Sequence, residues 1–119
     1  MAGPKVLVVE DEALIRFTIA DDLRDAGFEV VEAATADQAI GVLSDDPGIR
    51  LLFTDIDMPG SMDGLRLSAV LRDRWPPVRI LVTSGKQVPA TAEMPAGSRF
   101  MPKPYAAADV LDAVRAMLA

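Results

Sequence analysis

The stretch Arg50–Pro59 reads RLLFTDIDMP and decides how the chain folds. Its first half, Arg50–Thr54, is a short apolar run, and two aspartates, Asp55 and Asp57, follow it closely. Apolar runs of this length are typical of strands that are buried on both faces of a parallel sheet. Side chains that follow such strands lie at the edge of the sheet where ligands bind. The stretch therefore predicts a buried strand that presents two acids.

Four similar apolar runs lie elsewhere in the chain and alternate with segments whose apolar residues recur at helical spacing. This alternation is typical of an α/β domain with a parallel sheet. The predicted strands are Lys5–Val9, Phe28–Glu32, Arg50–Thr54, Arg79–Thr83 and Ser98–Met101. The predicted helices are Glu12–Ala26, Thr35–Asp45, Leu65–Arg74 and Ala106–Leu118. We therefore expect residues 1–119 to form one α/β domain with a five-stranded parallel sheet.

The segment Ser84–Gly97, where a helix should connect the last two strands, contains Pro89 and Pro95. Proline inside a helix removes a hydrogen bond and costs about 3 kcal/mol. We therefore predict that this fourth connecting helix is short or degenerate.

The composition excludes several classes of protein. The formal charge of −6 argues against nucleic-acid binding, which needs clustered Lys and Arg. The chain has no Cys and no His, which excludes thiolate chemistry and a phosphohistidine of its own. No apolar run approaches the roughly 20 residues of a membrane-spanning helix, and the start of the chain lacks a signal-peptide pattern. The sequence predicts a cytoplasmic protein without a membrane segment.

Polar side chains follow four of the predicted strands, at one edge of the sheet. They are Glu10, Asp11, Asp55, Asp57, Thr83 and Lys103. Clustered carboxylates repel one another unless a cation neutralises them, and a set of oxygen ligands favours Mg²⁺. A carboxylate beside such an ion can attack phosphorus, while a lysine and a hydroxyl stabilise the transferring oxygens. The set predicts phosphoryl transfer onto Asp55.

Five segments resemble the signatures of the receiver domain of bacterial response regulators. They are Val6–Glu12, Thr54–Pro59, Met62–Gly64, Leu81–Gly85 and Lys103–Tyr105, in the order typical of that family. The resemblance implies a flavodoxin-like, doubly wound (βα)5 fold. It also implies a phosphoacceptor role in a two-component system or a phosphorelay.

The resemblance assigns roles around the expected Mg²⁺. Asp55 corresponds to the phosphoacceptor, and Asp11 corresponds to a direct metal ligand. Glu10 stands where the family has an acid that acts through a metal-bound water. Asp57 stands where the family contributes a backbone carbonyl to the metal. The resemblance thus implies four metal-binding positions, one of which is also the phosphoacceptor.

The resemblance also implies how phosphorylation is read out. Thr83 and Lys103 correspond to the hydroxyl and the lysine that contact the phosphoryl group, and Phe100 corresponds to an aromatic residue whose rotamer is linked to Thr83. Pro104 would follow a cis peptide bond. Phosphorylation would draw Thr83 inward and let Phe100 repack, so that the fifth strand and the segment Gly85–Gly97 form the readout surface.

The implied donor is a histidine kinase or a histidine phosphotransfer protein. Our hypothesis is that the donor docks on an exposed apolar patch formed by Leu14 and Phe17 on the first helix. Since the chain ends with the last helix, we expect a stand-alone receiver that is not an enzyme beyond its own phosphorylation and dephosphorylation. The sequence leaves the downstream protein target open, and homodimerisation as well.

Two other functions are compatible with parts of the sequence. A pseudo-receiver would take no phosphoryl group and act as a constitutive interaction module, although the full set of acids, Thr83 and Lys103 speaks against it. The segment Asp55–Asp57 also matches the Asp-x-Asp of haloacid-dehalogenase-like phosphatases. In those enzymes the pattern lies on the first strand and has Thr or Val where Pro59 stands here, which disfavours this alternative.

Overall fold

The computed structural model describes residues 3–60, 62–86, 88–90 and 94–119. The strands are β1 (Lys5–Val9), β2 (Glu29–Ala33), β3 (Ile49–Asp55), β4 (Arg79–Ser84) and β5 (Arg99–Pro102). The helices are α1 (Ala13–Asp25), α2 (Ala36–Asp45), α3 (Gly64–Arg74) and α4 (Ala107–Leu118). The strands form one sheet in the order β2-β1-β3-β4-β5, and all neighbours are parallel. The predicted α/β fold is confirmed, and each element begins and ends within one residue of its predicted bounds.

Helices cover both faces of the sheet, which explains why the central strands are apolar along their length. Alternate side chains of β1, β3 and β4 enter two separate buried clusters. One cluster joins Leu7 and Leu52 to α2 and α3. The other joins Val8 and Phe53 to α1 and α4. The sheet is therefore doubly wound, and only the ends of its central strands reach solvent.

Side-chain caps set where two of the helices begin. Thr35 Oγ1 accepts a hydrogen bond from Gln38 N at 3.1 Å, and Gln38 Oε1 accepts one from Ala34 N at 2.8 Å. Gln38 thus bonds both the N-cap residue Thr35 and the backbone N of the residue before it, an arrangement related to a capping box. Asp63 Oδ1 caps α3 in the same way by accepting from Arg66 N at 2.9 Å. In the described ranges, no helix is both long enough and apolar enough to cross a membrane.

The connection between β4 and β5 contains no helix in its described residues, which are 85, 86, 88–90 and 94–98. Pro89 and Pro95 both lie in this part, and Ser98 N donates to the carbonyl oxygen of Pro95 at 3.1 Å in a tight turn. The predicted loss of the fourth connecting helix is confirmed for these residues. Residues 87 and 91–93 of the same prediction lie outside the described residues.

Candidate functional site

The carboxyl ends of β1, β3, β4 and β5 bring the predicted site residues to one edge of the sheet. Asp55, the last residue of β3, lies in register with Thr83 of β4. Carboxylate oxygens of Glu10, Asp11 and Asp55 lie within 4.8 Å of one another. Lys103 follows β5, and its backbone N donates to Ser84 O at 2.9 Å, which holds this loop against β4. Residues that are 93 positions apart in sequence thus share one site.

Lys103 forms an ion pair with Asp55 at the centre of the cluster. Its Nζ donates to Asp55 Oδ2 at 2.8 Å and lies 3.5 Å from Glu10 Oε1. Burial lowers the pKa of Lys103, but the hydrogen bond to Asp55 and the charges of both carboxylates outweigh it, so the pKa is raised overall. Lys103 is therefore a permanent cation that faces two buried carboxylates. The peptide bond between Lys103 and Pro104 is cis, as the resemblance implies.

Glu10 is the most deeply buried acid of the cluster, with 2% of its surface exposed. Burial first, and then the neighbouring Asp55, raise the pKa of the Glu10 carboxyl to about 7, although Lys103 opposes this shift. The backbone N of Asp11 donates to Glu10 Oε2 at 3.0 Å. Without a bound metal ion, the ionised Glu10 carboxylate therefore costs free energy, even though Lys103 is nearby.

This cost predicts a pH dependence of stability in the metal-free protein. Since the pKa of Glu10 is about 7 when folded and 4.5 in a model peptide, the folded state binds the proton more tightly. As pH rises from about 4.5 to about 7, the loss of this proton from Glu10 therefore lowers the free energy of unfolding by about 3 kcal/mol. Glu10→Gln cannot titrate, so its stability relative to wild type should increase from about pH 5 to about pH 8.

Urea unfolding of both proteins in EDTA measures this difference. EDTA keeps divalent cations away from the cluster. Subtraction of the two profiles removes the titrating groups that do not interact with Glu10, because both proteins share them. Parallel profiles for wild type and Glu10→Gln would contradict the prediction.

Asp57 contacts the site through both its backbone and its side chain. Its backbone N donates to Asp55 Oδ1 at 3.0 Å, so both oxygens of the Asp55 carboxylate are engaged. Ser84 Oγ donates to Asp57 Oδ2 at 2.5 Å and accepts from Lys86 N at 3.1 Å. Ser84 lies in the segment Leu81–Gly85, but its side chain was assigned no role from the sequence. This contact ties the Asp57 side chain to the end of β4, and Asp57 is not one of the three clustered acids.

Thr83 carries a buried polar atom without a partner. Its Oγ1 is buried and makes no hydrogen bond to any described residue, and the residue is 1% exposed. Leaving a buried hydroxyl unpaired costs about 1–3 kcal/mol. Because Thr83 lies in register with Asp55, an anionic oxygen bound at Asp55 would satisfy this donor.

Phe100 lies on β5 in register with Val82, the residue before Thr83. Its side chain is partly buried and packs against the apolar cluster beneath α2 and α3. Met101, one position later, is the residue in register with Thr83. The structure thus places Phe100 one strand position from Thr83, and the switch role of this pair stays a prediction.

Gly64 supports the site through its backbone, which the sequence analysis did not identify. A Cβ built on Gly64 would overlap the carbonyl oxygen of Asp55 and would lie 2.8 Å from its carbonyl carbon. The first turn of α3 therefore rests directly on the backbone of the phosphoacceptor candidate. A glycine that starts a helix is the available sequence signal, but the same signal occurs at ordinary turns.

Gly64→Ala is expected to lower the free energy of unfolding by about 2–3 kcal/mol, because the added methyl group pushes α3 off β3. Gly41→Ala is the matched control, since a Cβ on this exposed glycine of α2 would meet no atom within 4 Å. The control should gain about 0.5–1 kcal/mol from the better helix propensity. Urea unfolding measures both changes, and equal effects would refute the close-packing argument.

Comparison with known proteins identifies the family. Residues 6–115 match the family described as the response regulator receiver domain. The chain belongs to this family. FleR, a response regulator protein of Pseudomonas aeruginosa, is 35% identical over 113 residues, which are 92% of this chain and 24% of FleR.

Solved receiver structures agree with this assignment. The receiver domain of the hybrid histidine kinase CckA is 32% identical with a TM-score of 0.82, over 97% of this chain and 99% of that one. NtrX from Brucella abortus, solved in complex with ADP, is 33% identical with a TM-score of 0.87, over 99% of this chain and 27% of NtrX. This receiver spans about a quarter or less of the curated relatives it matches.

Proposed function

We propose that Asp55 of this receiver accepts a phosphoryl group from a phosphohistidine donor in a Mg²⁺-dependent reaction. The observation that carries the proposal is the surroundings of Asp55. A buried carboxylate is paired with Lys103 at 2.8 Å, lies in register with the unpartnered hydroxyl of Thr83, and belongs to a cluster of three acids. The donor histidine lies outside residues 1–119, because this sequence contains no histidine.

The transfer needs only one bond exchange. A carboxylate oxygen of Asp55 attacks phosphorus, the new P–O bond forms, and the P–N bond to the donor imidazole breaks with its electron pair remaining on nitrogen. Lys103 offsets negative charge on the transferring oxygens, and Thr83 Oγ1 donates to one of them. The hydrogen bond from Asp57 N orients the carboxylate for attack.

The donor set of the cluster fits a hard divalent cation. Glu10, Asp11 and Asp55 would offer carboxylate oxygens, and Asp57 would offer its backbone carbonyl. Mg²⁺ at this position would neutralise the clustered acids and the incoming phosphoryl oxygens. The raised pKa of Glu10 supports this fit, because burial makes its charge costly without a nearby cation.

Incubation with acetyl phosphate and Mg²⁺, followed by intact mass measurement, tests the proposal. The wild-type protein should gain the mass of one phosphoryl group, and EDTA should prevent the gain. No adduct on the native protein would refute phosphoryl uptake and favour a phosphorylation-independent interaction module. Repeated release of phosphate from small esters would instead indicate a phosphatase, whereas we propose a non-enzymatic receiver that turns over only its own phosphoryl group.

The proposed partner is a histidine kinase or a histidine phosphotransfer protein that docks at α1. A mostly apolar groove of about 410 Å³ runs between α1 and α4, and Leu14 and Tyr105 line it. Leu14 is 79% exposed, and Phe17 on the same helix is 50% exposed. A helical bundle that carries a phosphohistidine could cover this surface beside the acid cluster. The predicted cytoplasmic location is part of this proposal.

Phe17→Asp tests the docking surface. The rate of transfer from the cognate phosphorylated donor should fall, while uptake from acetyl phosphate should remain, because the small donor needs no docking surface. Val88→Asp is the control, since Val88 is an apolar residue that is 79% exposed but lies in the connection between β4 and β5 and not on α1. An unchanged transfer rate for Phe17→Asp would exclude Phe17 from the docking surface.

We further propose that phosphorylation signals through Thr83 and Phe100. Thr83 Oγ1 would turn toward the phosphoryl group, and Phe100 would repack beside it. The described part of the β4–β5 connection and the β5 surface would then change for a downstream protein. An identical Phe100 rotamer with and without a phosphoryl mimic would contradict this proposal.

A further inference from the structure

Arg16 of α1 makes a contact that the proposed phosphoryl chemistry does not use. Its Nη1 donates to the backbone carbonyl oxygen of Glu10 at 2.8 Å, and its Nε donates to Glu32 Oε1 of β2 at 3.3 Å. The Arg16 side chain is 14% exposed, so both contacts are largely shielded from water. The guanidinium thus connects α1, the end of β1 and β2.

Both backbone polar groups of Glu10 connect it to β2. Its N donates to Ala33 O at 3.1 Å, and its carbonyl oxygen reaches Glu32 through Arg16. Asp11 is exposed, and it follows Glu10 in the loop between β1 and α1. The positions of Glu10 and Asp11 therefore depend on how the peptide group between them is oriented.

We propose that Arg16 is a positioning residue for the cation site. Its hydrogen bond to the Glu10 carbonyl oxygen holds the loop of Glu10 and Asp11 in place, and Glu32 holds the Arg16 guanidinium. The inference rests on the proposed Mg²⁺ site and assigns Arg16 no contact with the ion. Residues that orient metal ligands from outside the ligand shell typically change metal affinity about 10–100-fold when mutated.

Electrostatics alone predicts the opposite sign. Removing a cation near an acidic site reduces repulsion and should tighten the binding of Mg²⁺. If Arg16 acts by positioning, Arg16→Met should instead weaken Mg²⁺ binding by about tenfold or more. The direction of the change thus separates positioning from a simple effect of charge.

Arg24 provides a matched control on the same helix. Its Nη2 donates to Glu32 Oε2 at 3.2 Å and to Val30 O at 3.2 Å, so it shares the Glu32 partner. These two acceptors lie on β2, and neither belongs to the acid cluster. Because its side chain is 44% exposed, Arg24→Met should keep Mg²⁺ affinity within about twofold of wild type.

Isothermal titration calorimetry with MgCl₂ measures these affinities in wild type, Arg16→Met, Arg16→Lys and Arg24→Met. Arg16→Lys keeps the charge but replaces the guanidinium by one ammonium, so it should bind Mg²⁺ more weakly than wild type and more tightly than Arg16→Met. Thermal unfolding of each variant in EDTA confirms that the titrated protein is folded. If Arg16→Met does not fold, the Mg²⁺ affinities of Arg16→Lys and Arg24→Met are compared instead, and weaker binding by Arg16→Lys is the expected result.

The outcomes separate this inference from the proposed function. If wild type binds Mg²⁺ and the Arg16 variants bind it as tightly or more tightly, positioning by Arg16 is refuted and the proposed function stands. If wild type takes up no Mg²⁺, the proposed function fails, and the inference fails with it. A loss confined to the Arg16 variants supports the inference.

Discussion

Asp55→Asn is expected to take up no phosphoryl group from acetyl phosphate or from a phosphorylated donor, even with Mg²⁺ present. An amide is neutral and poorly nucleophilic, so it cannot replace the carboxylate as attacking group. The amide also removes the negative charge that pairs with Lys103 at 2.8 Å and one of the three clustered acids. The variant should therefore lose both the chemistry and part of the cation site.

Intact mass after incubation with the donor gives the readout for Asp55→Asn. Asp112→Asn is a suitable control, because Asp112 is exposed on α4 and undergoes the same chemical change. The control should acquire one phosphoryl group as wild type does. An adduct of equal yield on Asp55→Asn would place the acceptor at another residue, and peptide mapping would then identify it.

Much of this site could be predicted because parallel strands end at a common edge. The apolar runs that lead to Asp55, Thr83 and Lys103 indicate where three strands end. Because buried strands of this kind are parallel, their carboxyl ends lie at the same edge of the sheet. The register of Asp55 with Thr83 then follows from the pairing of β3 with β4. Residue type supplied the rest, since acids, a hydroxyl and a lysine have recognisable chemistry.

Contacts made with backbone atoms could not be predicted in this way. Arg16 bonds a carbonyl oxygen, and Gly64 leaves room for the backbone of Asp55. Every residue has a carbonyl group, so no side-chain pattern identifies which one an arginine will meet. The Ser84 contact with Asp57 also depends on rotamers and on the path of a loop, which residue spacing does not specify.

The acid cluster combines function with a cost in stability. Glu10 and Asp55 are both buried, and one cation, Lys103, contacts both of them. Such an arrangement is stable only while the positive charge remains in place or a metal ion joins it. Lys103 is therefore expected to influence stability, cation affinity and phosphoryl uptake, and these three effects should not have the same sign.

Lys103→Met should lower stability in EDTA by about 2–3 kcal/mol at about pH 8, somewhat below the cost for a fully buried pair because Lys103 is 24% exposed. The two carboxylates would then repel each other without compensation. Lys5→Met is the matched control, since Lys5 contacts Asp46 at the same distance of 2.8 Å and is exposed to a similar degree, but the side chain of Asp46 is 28% exposed whereas that of Asp55 is 7% exposed. The control should lose much less stability. Urea unfolding measures both, and equal losses would mean that burial of the carboxylates is not the cause.

The same Lys103→Met variant should bind Mg²⁺ more tightly than wild type but accept phosphoryl groups about 10²-fold more slowly. Loss of the ammonium removes a cation that competes with the metal for Asp55 and Glu10. It also removes the donor that offsets charge on the transferring oxygens, and losing one such donor typically costs about 10²–10³ in rate. Calorimetric titration with Mg²⁺ and the time course of the mass adduct measure the two effects separately. Weaker Mg²⁺ binding together with normal uptake would show that Lys103 serves the cation site and not the transfer.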